Sequence, residues 1–279
     1  MSDPQPTPAR KANPAAVLIG FAVLAVGEGI VLWQAGVFDG FRLQPEVIST
    51  IGPEVDHLFY LILGITGIAF ALTFSLLLYF LVRYRARPGG QAVHTHGSHK
   101  LELAWTLVPG LILFFLAVYQ VDTWGKMKFP GRFPDERQAY VVQVLGRQFE
   151  WRFRHAGADG EFGTADDVTK LGELHIPVDT IIVVQLRTLD VVHSFWLPNA
   201  RIKQDLLPSQ TIRQWFEIVK TGNFQISCAE LCGVGHTKMA GRLIVHPKED
   251  FGRWLQERKR EQGDHVPELD PYWRYWPQG

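Results

Sequence analysis

The sequence lacks a surplus of charge of either sign: 28 Lys and Arg balance 28 Asp and Glu over 279 residues. A chain that grips nucleic acid ordinarily carries a basic excess, so a nucleic-acid partner is excluded on these terms. Cysteine is nearly absent. The two present, Cys228 and Cys232, are too few for a disulfide-rich scaffold, and no Cys-x-x-Cys-His occurs to attach a c-type haem. Internal repeats and low-complexity tracts are missing too. What is there is unevenly placed. Apolar residues bunch in the first half, and both cysteines lie in a more polar second half.

Three apolar stretches come first. Ala15–Trp33 is apolar except for Glu28, while Leu58–Val82 and Leu103–Val121 carry no charge, although Pro109 and Gly110 interrupt the last. Each is long enough to cross a hydrocarbon layer of about 30 Å. The loop 83–101 carries Arg83, Arg85, Arg87 and Lys100 with no acid; the segment 36–56 carries four acids against Arg42. The positive-inside rule then puts 83–101 in the cytoplasm. The expectation is a transmembrane helical hairpin over 57–125 in the inner (plasma) membrane, with everything after Trp124 on the periplasmic or outer face. Within the N-terminal segment 1–56, Ala15–Trp33 reads as a retained helix with its N-terminus inside. A signal peptide cut near Ala25-Val26-Gly27 is the alternative.

From Tyr140 the pattern becomes that of short strands rich in β-branched and aromatic residues, divided by Gly, Pro or Asp. Seven are expected: 140–145, 149–153, 174–176, 180–188, 191–196, 210–219 and 242–245. They predict a small all-β sandwich or barrel over 126–248. Residues 249–279 read as a polar helix (250–262) and a surface arm. The acidic loop Gly157–Asp167 reads as a solvated hairpin connection, with calcium binding as the alternative. His94, His96 and His99 read as a solvated group.

The chemistry concentrates in Cys228-Ala-Glu230-Leu-Cys232-Gly-Val-Gly-His236-Thr-Lys-Met239, with a further imidazole, His193, 35 residues before Cys228. Thiolate, thioether and imidazole together select copper over hard cations. A mononuclear blue-copper site uses one Cys; two thiolates can instead bridge two coppers, each with a terminal His. Met239 would serve one copper and a backbone carbonyl, that of Glu230, the other. A disulfide and a Cys₂His₂ zinc site are the alternatives, the second leaving Met239 idle.

These residues resemble subunit II of the haem–copper oxidases. The copper loop Cys228–Met239 matches that family position for position. Asp190-Val-Val-His193-Ser-Phe resembles its first-ligand strand, Arg201–Pro208 the segment that follows, and Glu102-Leu-Ala-Trp105-Thr-Leu-Val-Pro109 the start of its second hairpin helix. The resemblance implies a cupredoxin-like sandwich carrying a binuclear copper centre. It implies copper ligation by His193, Cys228, Cys232, His236, Met239 and the carbonyl of Glu230. The Glu230 carboxylate would face a magnesium ion shared with the catalytic subunit, and Glu102 would stand at the mouth of a proton-uptake path. The chain would receive electrons from cytochrome c or a membrane-bound cytochrome and pass them to haem in the catalytic subunit I, among further oxidase subunits. Oxygen is reduced there and protons are pumped. No His lies in the three apolar stretches to hold haem itself. A nitric oxide reductase subunit and an exported copper-delivery protein are the rival readings. The family's run Gln-Trp-x-Trp reads Gln148-Phe149-Glu150-Trp151 here. Phe149 and Trp151 mark the electron-uptake region, and Phe149 points to a donor that docks differently, as a tethered cytochrome would.

Overall fold

The computed structural model describes residues 44–91, 94, 96–263, 272, 273 and 276. The first apolar stretch, with Glu28, lies outside them. The described residues divide into two units, one of 44 with 59–109 and one of 45–58 with the chain from 110 onward.

Among the described residues two long helices come first, α1 (Gly52–Arg83) and α2 (His99–Lys128). At 1.5 Å per residue their 32 and 30 residues run to about 48 and 45 Å, well beyond the apolar stretches that nucleate them. Pro109 is accommodated inside α2. Both are long and apolar enough to cross a membrane. Thr66 and Thr73 turn their hydroxyls back onto carbonyls one turn earlier, at 2.9 Å each, so these two hydroxyls are satisfied within the helix.

Ten strands follow: β1 (Tyr140–Arg147), β2 (Glu150–His155), β3 (Val168–Leu171), β4 (Glu173–Pro177), β5 (Ile181–Thr188), β6 (His193–Leu197), β7 (Ile202–Leu206), β8 (Ile212–Glu217), β9 (Gly222–Cys228) and β10 (Ala240–His246). They form two five-stranded sheets, ordered β3-β2-β1-β5-β8 and β4-β10-β9-β6-β7. β1 runs parallel to β5 and β10 parallel to β4; the other neighbours are antiparallel. Seven of these were expected. The three additional strands are short or half polar: β3 has four residues, β7 reads Ile-Lys-Gln-Asp-Leu with a wet face, and β9 opens on Gly-Asn. The inward faces of both sheets, including Val142, Trp151, Phe153, Ile182, Phe195 and Phe216, make one core. The stretch before α1 belongs to that core: Ile48 and Ile51 are buried in it, and Ile48 exchanges backbone hydrogen bonds with Asn199 and Val219.

α3 (Lys248–Gln262) docks through Phe251 and Trp254. Trp254 stacks on His175 at 4.0 Å and meets His155 edge-on at 5.3 Å. His175 in turn shares a 2.8 Å hydrogen bond with His246. Where a surface arm was expected, Trp273 and Trp276 are buried against Leu145. Tyr272 lies under Arg152 and Trp273 under Arg154, at 3.6 and 4.6 Å from the guanidinium carbons. Aromatic rings spaced along the tail find cations on the outward face of β2.

Candidate metal centre

One end of the second sheet collects the residues expected to hold metal. His193 opens β6 and Cys228 closes β9, and the register Phe195–Cys228 sets the two strands side by side. The loop from Cys228 to Met239 returns on itself: the amide of Cys228 donates to the Met239 carbonyl at 3.1 Å, and that of Ala229 to Ser194 at 3.0 Å. A tight turn over His236–Lys238, in which His236 donates to Gly233 and Met239 to His236, swings Met239 back towards the thiols. Gly233 sits at φ +134°, a conformation that side chains with a Cβ rarely adopt.

The resulting distances define two adjoining groups. Cys228 Sγ lies 3.9 Å from His193 Nδ1 and 3.2 Å from the carbonyl oxygen of Glu230. Cys232 Sγ lies 3.6 Å from His236 Nδ1 and 3.8 Å from Met239 Sδ. The sulfurs are 3.9 Å apart and both cysteines are free, far beyond the roughly 2.05 Å of a disulfide. The donor atoms of His193, Cys228 and Cys232 all fall within 4.8 Å of one another, and all three residues are buried. Met239 is buried too, its sulfur turned to the thiols, where a Cys₂His₂ zinc site has no use for it. Glu230 turns its carbonyl inward and is otherwise exposed.

The electrostatics suit a cationic occupant. Burial raises the Cys228 thiol, but contacts with His193 and backbone groups outweigh it and bring the group down to about 6. Burial and the neighbouring Cys228 thiolate push Cys232 up to about 11. The pair therefore resists carrying two negative charges unaided, and a bound metal cation would relieve that resistance. Burial disfavours the charged form of His193, yet Cys228 and Asp190 raise its pKa overall. Asp190 accepts from His193 Nε2 at 2.8 Å, which leaves Nδ1 to face Cys228. The same carboxylate takes the backbone amides of Gln148 and Val191, each at 2.7 Å. Sequence reasoning named Asp190 as the start of the stretch Asp190-Val-Val-His193-Ser-Phe and gave its carboxylate no role at the site. Its spacing of three residues from the His193 imidazole was the available signal.

Trp151 lies wholly in the core, its ring edge-on to His193 at 6.1 Å and to Phe195 at 5.5 Å. Phe149 is half-buried against the copper loop. Glu102 lies in the other unit, in the first turn of α2, half-exposed and 3.2 Å from His99 Nδ1. In the acidic loop, Asp166 accepts from the amides of Ala158 and Asp159 and from the Thr164 hydroxyl, and Asp167 from Gly163. Those carboxylates hold the loop together, as a hairpin connection requires.

Comparison with known families matches residues 140–245 to the periplasmic domain of cytochrome c oxidase subunit II and residues 40–122 to its transmembrane domain. A cytochrome c oxidase subunit 2 from Thermostichus vulcanus is 30% identical, over 85% of this chain and 84% of its own. The chain belongs to the cytochrome c oxidase subunit II family. An alternative cytochrome c oxidase subunit 2 from Bradyrhizobium diazoefficiens is 28% identical over 86% of this chain and 92% of its own. Among solved structures, the periplasmic domain of subunit II of cytochrome oxidase from Bradyrhizobium japonicum covers 47% of this chain and 99% of its own, at 26% identity and TM-score 0.41. Family membership bears out the resemblance drawn from the motifs: two apolar helices precede a cupredoxin-like sandwich, and the family implies a copper centre where the thiols meet. The chain is thus a membrane protein with a periplasmic domain.

Proposed function

We propose that this chain is the electron-receiving subunit of a respiratory cytochrome c oxidase, and that its sandwich holds two copper ions in one centre. The observation that carries the reading is the pairing of two free, buried thiols with an imidazole beside each, a thioether at one and a carbonyl at the other. His193, Cys228, Cys232, His236, Met239 and the Glu230 carbonyl are the ligands. Bound copper supplies one-electron redox chemistry. The chain's own part is to hold six donors in a fixed, largely buried cage, so that little rearranges when an electron arrives. Asp190 fixes the His193 ring, and Trp151 backs it with a rigid apolar wall.

Electrons pass from a cytochrome c or a membrane-bound cytochrome, taken up near Phe149 and Trp151, to haem in catalytic subunit I. The exposed Glu230 carboxylate is free to meet a magnesium ion shared with that subunit. Glu102 is half-exposed at the start of α2, as a proton-uptake group at an aqueous mouth needs to be. The helices hold the chain in the plasma membrane beside subunit I and further subunits. A copper-delivery role needs an exchangeable site, and burial of both thiols and of Met239 speaks against it.

The test is metal analysis with electron paramagnetic resonance on the purified complex. Two coppers per chain in this subunit, with one unpaired electron shared between them, is the expected result. One copper per chain with a single-nucleus spectrum rejects the assignment.

A further inference from the structure

The turn between β1 and β2 lies directly on the copper loop. The Gln148 side chain donates from Nε2 to the carbonyl of Cys232. The next residue, Phe149, fills the space that two side chains would otherwise claim. A Cβ on Gly233 would fall 2.8 Å from Gln148 Nε2 and 3.1 Å from Phe149 Cζ, and one on Gly235 would run into the Phe149 ring. The two glycines thus form a bed for the ring between Cys232 and His236. The backbone amide of Gln148 is itself anchored on Asp190, which also holds His193. One hydrogen-bonded path therefore runs from the imidazole beside the first thiol, through Asp190 and Gln148, to the peptide carrying the second.

We propose that Gln148 is a positioning residue for the copper centre: its amide tethers the Cys232 peptide while Phe149 presses on the glycine bed, fixing the second sulfur relative to the first. The proposal rests on the binuclear reading above. Removing the tether leaves the Cys232 carbonyl without this donor and frees the loop at a residue in the left-handed region. Both thiolates bridge in that reading, so a loosened Cys232 changes how the electron is shared as well as how firmly copper is held. Outer partners of this kind typically govern metal affinity by about 10-fold to 100-fold.

Gln148→Met keeps length and removes the donor; Gln148→Glu keeps shape and sets an acceptor against the carbonyl. Both are made in the full complex. Relative to wild type, each is expected to lose copper to a chelator about tenfold faster. Each is also expected to shift the midpoint potential and the copper hyperfine splitting, with Gln148→Glu the stronger. In the copper-depleted complex, amide exchange at Gly235 and His236 should be faster in both variants. Wild-type exchange, potential, splitting and copper loss in both variants overturn the proposal while a two-copper wild-type centre leaves the binuclear reading standing. A wild-type centre with one copper overturns that reading; the amide exchange then still decides whether Gln148 tethers the loop.

Discussion

Phe70 in α1 and Phe114 in α2 are each 68% exposed, whereas Phe153, Phe195 and Phe216 in the sandwich are fully buried. The same side chain is spent in opposite ways. The sandwich closes its own core between two sheets, so its apolar residues alternate with polar ones along most strands. The helices are apolar all round, and their stability depends on hydrocarbon or a partner protein taking the place of water. The difference also decides where chemistry sits. A redox centre needs fixed donors, and only the self-contained sandwich supplies them without help from outside the chain.

The most drastic way to sharpen this contrast is Cys228→Ser or Cys232→Ser. A hydroxyl is a poor replacement for a bridging soft thiolate. The shared-electron signal should disappear entirely while the helices still insert and assemble, as membrane fractionation and subunit composition would show. Next comes the stretch before α1, which bridges the two regions of sequence by lending Ile48 to the core. Ile48→Ala should cost about 2–5 kcal/mol of sandwich stability, read as a lower midpoint for thermal loss of the copper signal. A variant with an unchanged midpoint would separate the two regions more cleanly than the packing does.

Acid should act on the sandwich and not on the helices. Burial lowers His155 to about 3 and His175 to about 4, and lowers His246 as well, all from an ordinary 6.5. These rings are accommodated neutral, facing one another with Tyr140, Glu173, Lys170 and Asp250 nearby. The unfolded or undocked state binds protons more readily. Stability is therefore full above pH 6.5 and is lost as pH falls through the window down to about 4. Each group contributes at most about 1.4 kcal/mol per pH unit. Amide exchange along α3 should accelerate across that window, and replacing His175 by Phe should flatten the dependence. The smallest effect is expected from Glu102→Gln in the helical region. The amide keeps the shape of the side chain but cannot take up a proton, so turnover should slow with an unchanged copper spectrum. Turnover indistinguishable from wild type across pH would leave Glu102 as an interfacial acid only.

The helices and the ligand loop were legible because each signal is local. Leu58–Val82 has no charge to interrupt it, and two thiols, an imidazole and a thioether fall within twelve residues. His193 was picked out as a distant imidazole and its ligand role drawn from the resemblance; its neighbours in space were not found. Gln148 comes from the turn between β1 and β2, and nothing in its own sequence surroundings announces that it meets Cys232; for Asp190 the one signal was its spacing of three residues from His193. β7 and β9 were missed because half of each is wet, which dilutes the alternation that betrays a strand. The buried Trp273 and Trp276 were taken for surface because an aromatic residue in a Pro-rich tail has no periodicity to show what it covers.

That tail makes a remote stretch of sequence the roof of a buried ion pair. Arg154 is 2% exposed, held 3.6 Å from Asp167 and covered by Trp273, more than a hundred residues further along the chain. Residues 228–239 of the copper loop lie between the two in sequence, so a chain clipped short of Tyr272 would keep the whole loop and lose the roof. Limited proteolysis would then tell the clipped chain from the intact one, although the loop's own residues are unchanged.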